Sequence, residues 1–212
     1  MRLGKDLEGK PIISVADGRI LGRVKDVYVD RDLQRLAGLY VGSEGVIRRK
    51  SLIVPSDQIV LLGVDVVLVK DADVITTNKA LPETEKWRRQ DDLVNTEVRT
   101  PGGTKLGTVG DIILDEQGDV SALALARVFV SGPLAQKGMI PRDVLVEILQ
   151  ADDTIQVDLP KLESLLAGIS DEAQASAGSE ADLDDVVINP VESDSGLDLE
   201  PDVKKLDEEA RD

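Results

Sequence analysis

The sequence predicts an all-β fold: two tandem small antiparallel β-barrels, then a short C-terminal helix and a disordered acidic tail. Three observations predict it. A stretch repeats, since Asp17 to Asp30 reads DGRILGRVKDVYVD and Gly103 to Asp115 reads GTKLGTVGDIILD. Gly18, Leu21, Gly22, Val24, Asp26 and Asp30 recur as Gly103, Leu106, Gly107, Val109, Asp111 and Asp115, each 85 residues later. Matched positions under one fixed shift mark a duplicated structural unit. The apolar residues around both copies fall in short β-branched runs separated by turn residues, the pattern of a small barrel. Finally, the charge of −16 is unevenly spread: residues 171 to 212 hold 15 acidic and 3 basic residues, a net −12.

Each element has a local reason. Leu7, Pro11, Ile12, Ile13 and Val15 form a first strand, which ends at the Asp17-Gly18 turn. In the next strand Val27 and Val29 alternate, but the preceding apolar residue, Val24, sits three positions back instead of two. A bulge at Lys25-Asp26, and at Gly110-Asp111 in the second copy, would restore one face and bend the strand. A bent strand is what a small barrel needs. A polar turn, Arg31 to Gln34, precedes the strand Leu36 to Val41; Val120 to Leu125 takes its place in the second copy. Leu52 to Val54 leads into Pro55 and a short turn, then Ile59 to Leu62 and Val66 to Val69 make a closing hairpin. Their counterparts are Met139 to Asp143, Val144 to Leu149 and Thr154 to Val157. Asp71 to Asp92 links the copies, with one or two helical turns in PETEKWRRQ and an unexpected tryptophan, Trp87. Pro160 opens a helix that Gly168 stops, with Leu162, Leu165 and Leu166 on one face. The domains are therefore 1–70, the linker 71–91, 92–170 with the helix, and the tail 171–212.

Composition removes whole classes of function. There is no cysteine and no histidine, so disulfides, thiol nucleophiles, histidine bases and most zinc or iron sites are excluded. The barrel region, with 26 acidic and 22 basic residues, offers no basic face for phosphates, and direct nucleic-acid binding is not expected. The N-terminus MRLGKDLEGK has no apolar core for a signal peptide, and no stretch has the length of a spanning helix. A cytoplasmic protein is the expectation.

Asp26 with Asp30, and Asp111 with Asp115, have the look of carboxylate pairs, but strand positions beside Arg23 and Lys25 favour backbone bonding or ion pairing over catalysis. Asp182, Asp184 and Asp185 fail as a calcium loop, because Val187 and Ser193 stand where Gly and Glu are required. Gly18 and Gly103 are turn glycines without a phosphate-loop pattern. Two small basic clusters, Arg48-Arg49-Lys50 and Lys86 with Arg88 and Arg89, are candidate contacts for a partner or for the acidic tail. Catalytic, cofactor-binding and metal residues are expected to be absent.

Taken together, DGRxLGxVxDVxVD, a following Pro-Asp element and a short apolar strand resemble the PRC-barrel family, over roughly residues 1 to 159 as two copies. The second copy departs from the pattern, lacking the Arg after Gly and the Gly of Leu62-Gly63. The resemblance implies the fold of the cytoplasmic part of the photosynthetic reaction-centre H subunit and of a ribosome-maturation factor's C-terminal domain. It implies a binding scaffold with no shared catalytic residue, with Gly18, Gly22, Asp26, Gly103, Gly107 and Asp111 as its structural motif. The expected role is a non-enzymatic protein-interaction adaptor. A ribosome-associated assembly factor and a peripheral subunit of a membrane complex are the alternatives. The protein partner and the oligomeric state are not legible in the residues.

Overall fold

The structure is a computed structural model that describes residues 1–45, 50–148 and 153–166. The expected disordered tail, and the basic residues Arg48 and Arg49, lie outside the described residues. The first repeat contributes β1 (Arg2–Leu3), β2 (Pro11–Ser14), β3 (Ile20–Arg23), β4 (Asp26–Val29), β5 (Leu36–Glu44), β6 (Lys50–Pro55), β7 (Ile59–Leu62) and β8 (Val67–Val69). The connecting segment holds β9 (Thr76–Thr77). The second repeat contributes β10 (Arg88–Arg89), α1 (Gln90–Leu93), β11 (Glu97–Arg99), β12 (Lys105–Leu114), β13 (Val120–Val128), α2 (Pro133–Lys137), β14 (Met139–Pro141), β15 (Leu145–Ile148) and β16 (Ile155–Val157). A helix over 159–166, α3, follows.

The protein is mainly β, and the two repeats share one strand path. In the second repeat the order is β14-β13-β12-β11-β16-β15. In the first, β6-β5-β4 and β3-β2-β8-β7 trace the same path, divided where β3 hands over to β4. The irregularity read at Val24 to Asp26 is that hand-over. Lys25 N–H still donates to Tyr40 C=O, but Val24 N–H turns to Lys10 C=O on the other sheet. The second repeat keeps one continuous strand and absorbs the extra residue at Gly110, between the pairs Val109–Leu125 and Asp111–Ala124.

Two features correct the expected closed antiparallel barrels. β6, whose far side pairs with β9, is not joined to β7 by a ladder, nor β14 to β15, so no closed barrel is found among the described residues. Each pair is linked only through a 3-10 turn that begins after Pro55 or Pro141, and proline has no N–H with which to extend a ladder. In addition, β2 pairs β8, and β11 pairs β16, in parallel.

The repeats are interlocked. β1, from the start of the chain, adds to β12 with Arg2 opposite Leu114 and Leu3 opposite Ile113. β10, at the equivalent place before the second repeat, adds to β4 with Arg88 opposite Val29 and Arg89 opposite Tyr28. The exchange is reciprocal, so each repeat lends its opening two-residue strand to the other in a two-fold arrangement. At its centre Gly4 faces Gln90: a Cβ on Gly4 would overlap the Gln90 side chain. The turns before β5 and β13 also meet, Leu36 N–H donating to Gly118 C=O and Val120 N–H to Gln34 C=O. Consequently the buried apolar residues of both repeats, Leu7, Val27 and Leu39 with Leu93, Ile112 and Leu123, join one core. That shared burial is the main stabilising term.

The Arg31–Gln34 turn is not wholly polar and exposed as the sequence suggests. Leu33 is fully buried at a positive φ of 50°, the conformation that its counterpart Gly118 adopts at +87°. The second repeat's Arg142 clamps the turn, its Nε donating to Leu33 C=O at 2.8 Å and an Nη to Asp32 C=O at 2.6 Å. On α3, Leu162 and Leu166 are buried while Leu165 stays partly exposed.

Candidate functional site

Asp26 and Asp111 sit in the seam between repeats, each met by the other repeat's lent segment, whereas Asp30 and Asp115 accept from backbone N–H groups of their own turns. Asp26 is fully buried. Its Oδ1 accepts from Val27 N–H (2.7 Å), and its Oδ2 from Arg89 Nε of β10 (2.6 Å). Asp111, also buried, accepts from Ile112 N–H (2.8 Å) and from Lys5 N–H (3.3 Å), with Lys5 Nζ at 3.8 Å from its Oδ2. The asymmetry follows from sequence: Leu3 stands where the other repeat has Arg89, so Asp111 receives only the longer, exposed Lys5. Burial pushes both carboxyls above their ordinary range, opposed by these donors and cations.

For Asp111 this has a pH consequence. Its folded pKa lies above the unfolded value, so the fold gains from the bound proton; that gain is full below the ordinary carboxylate range and is lost as pH rises through the raised value. The melting temperature of wild type relative to Asp111→Asn should therefore be highest in acid and should fall as pH rises. Melts of both proteins from pH 4 to 8 check this, and a gap that widens upward would contradict it.

Arg89 does more than neutralise Asp26. It also reaches Asp91 (3.0 Å) and lies 4.6 Å above the Tyr40 ring. Tyr40 packs edge-on to Tyr28, and Tyr28 against Trp87. The tryptophan that looked misplaced in a linker thus anchors β10 on the first repeat. Carboxylate oxygens of Glu8, Asp26 and Asp91 come within 4.8 Å of one another, but a guanidinium already bridges two of them.

The other residues singled out by sequence take these places. Gly18 and Gly103 are turn residues at φ +71° and +86°, with open space where a Cβ would stand. Gly22, at φ +154°, would bring a Cβ to 3.0 Å from Val41 Cγ1; on Gly107 a Cβ would overlap the Arg127 carbonyl oxygen. Lys50 opens β6 and lies 3.8 Å from Glu44. Lys86 is exposed, whereas Arg88 and Arg89 are half-buried in β10, so Lys86, Arg88 and Arg89 do not form one solvated patch.

Two surfaces were not singled out by sequence. Among the described residues, β7 and β15 each end their sheet with a free side. On β7, Val60 and Leu61 are more than half exposed, with Val64 just beyond; on β15, Val146 is 62% exposed. Each edge borders the other repeat's turn. One groove runs along Ser56, Ile59 to Leu62 and Glu116 to Asp119. Its counterpart runs along Arg31, Asp32, Gln34, Arg142, Leu145, Val146 and Ile148. The exposed valines and leucine were in the sequence; which strands lacked a neighbour was not.

A duplicated six-strand path, reciprocal strand exchange and paired free edges define a tandem β scaffold. The PRC-barrel domain model matches residues 1–75 and 88–163, the second match opening at β10. The chain belongs to the PRC-barrel family, in two tandem copies. A search of curated proteins returns no match. No helix among the described residues is long and apolar enough to cross a membrane.

Proposed function

We propose that the protein is a non-enzymatic interaction adaptor whose docking surfaces are the free edges β7 and β15. The supporting observation is the pairing of unfilled backbone edges with exposed apolar side chains at equivalent places in both repeats. An open edge presents a row of N–H and C=O groups ready to accept an extended segment. Charged or proline-bearing edges discourage such pairing, whereas β7, reading IVLL, has neither. The interlocked core holds the two edges in a fixed relation, as an adaptor requires. Lys50, Lys86, Arg88 and Arg89, with Arg48 and Arg49, are proposed as secondary contacts, and a cytoplasmic setting is proposed with them.

Affinity capture with the tagged protein, read by mass spectrometry, tests this. Val60→Lys with Leu61→Asp should abolish capture of at least one partner that wild type retains, while the melting temperature changes by no more than a few degrees. Capture unaffected by changes at both edges would refute the assignment. Ribosomal proteins among the lost species would select an assembly factor, and membrane-complex subunits a peripheral role.

A further inference from the structure

The two edges are equivalent in backbone but not in charge. In the groove along β7, Asp57, Glu116 and Asp119 stand against Arg35, while Arg2 and Lys10 are held on the Gly63 carbonyl at the strand's end. In the groove along β15, Arg31 and Arg142 stand against Asp32, while Glu147 of the strand accepts from Gln156 of β16. A strongly acidic segment is therefore repelled from the first edge and attracted to the second. This chain carries such a segment: residues 171–212 have a net −12, and within them DLDDVVI, Asp182 to Ile188, joins three aspartates to a β-branched run. β-branched residues favour an extended strand, and Pro190 two residues later ends any ladder.

The chain also leaves from the right place. Val146 of β15 lines a groove with Leu159 and Pro160, at the start of α3. Lys161 Nζ donates to Asp143 C=O, tying α3 to the turn before β15. The eight residues of α3 carry the chain only about 12 Å further. Twenty residues separate residue 166 from Val186, and a flexible chain of that length has a reach of about 25 Å.

We propose that Val186 to Ile188 add as a strand to the free edge of β15, with Asp182, Asp184 and Asp185 directed at Arg31 and Arg142. The chain thereby covers one of its two docking edges and leaves β7 open. This rests on reading β15 as a docking edge. An external segment would reach β15 only by displacing the tail, and added salt would ease that displacement by screening the arginines.

Hydrogen exchange on the full-length protein tests the assignment. Val187→Asp, a change outside both repeats, should speed exchange of the backbone amides of Leu145–Ile148 at least tenfold and leave Ile59–Leu62 unchanged. Because the chain has no cysteine, a cross-linking measurement can be added. Val146→Cys combined in turn with cysteine at Val186, Val187 or Ile188 should give an intramolecular disulfide, in the best of the three, at least tenfold faster than Leu61→Cys with the same partners. Unchanged β15 exchange, equal rates at both edges, or only covalent dimers would overturn the proposal; dimers would assign the edge to a second copy. Loss of capture by Val60→Lys with Leu61→Asp is independent of the tail, so the adaptor reading can stand where this one fails.

Discussion

Gly107→Val should lower the stability of the whole protein by about 3 kcal/mol, in the range of overpacked or strained buried positions. The added Cβ would meet the Arg127 carbonyl oxygen on β13 and, at 3.1 Å, Leu125 Cδ1. A backbone atom in a ladder cannot swing aside as a side chain can, so β12 and β13 must separate. Those strands hold Ile112, Leu114 and Leu123 in the core common to both repeats, and unfolding should therefore remain one transition. For a folded region of this size the melting temperature should fall by about 6–12 °C. Gly22→Val should cost less, about 2 kcal/mol, because its neighbour is a valine methyl, and its φ of +154° supplies part of the cost. Urea unfolding of both variants would measure the order. A Gly107→Val protein as stable as wild type would remove the steric reading of the repeated glycine.

Arg89→Met should cost a further large amount, about 3 kcal/mol at neutral pH. The substitution keeps apolar bulk near Tyr40 but leaves Asp26, fully buried, with only the Val27 N–H shown bonding it. An unpaired buried carboxylate is more costly than the pair ever was worth, which is why removing one partner hurts more than removing both. The penalty has a sign with pH. Without Arg89 the Asp26 carboxyl rises still further above its ordinary range, so it binds a proton more readily in acid. Lowering the pH from 7 to 5 should therefore shrink the loss. Asp26→Asn added to Arg89→Met should restore part of it at pH 7. Urea titrations at the two pH values provide the measurement. A cost that is the same at both, with no rescue by Asp26→Asn, would show that Asp26 is not held as an anion.

Gly22, Gly107 and Asp26 are positions found from a shift of 85 residues, and much else was legible the same way. The turn glycines, the short β-branched strands and the irregular step after Val24 each depend on residues within a few positions of one another. Alternation and turn chemistry act locally, so they leave a local trace. The sequence by itself determined the duplication, the succession of most strands along each copy and the absence of thiol and imidazole chemistry.

The tertiary structure decided what no local pattern encodes. β1 and β10 are two residues long, too short for any periodicity, and they exist because the opposite repeat offers β12 and β4 as partners. Leu33 sits in a turn of polar neighbours, yet it is buried because the repeats close over it. Arg89 looked like one of a solvated basic group, but reciprocal exchange carries it to the buried Asp26. Pairing partners also decide which strands stay bare: β7 and β15 look no different in sequence from strands inside the sheet. Register between distant segments is set by the shared core, where burying both repeats' apolar faces together outweighs the preference of either one alone.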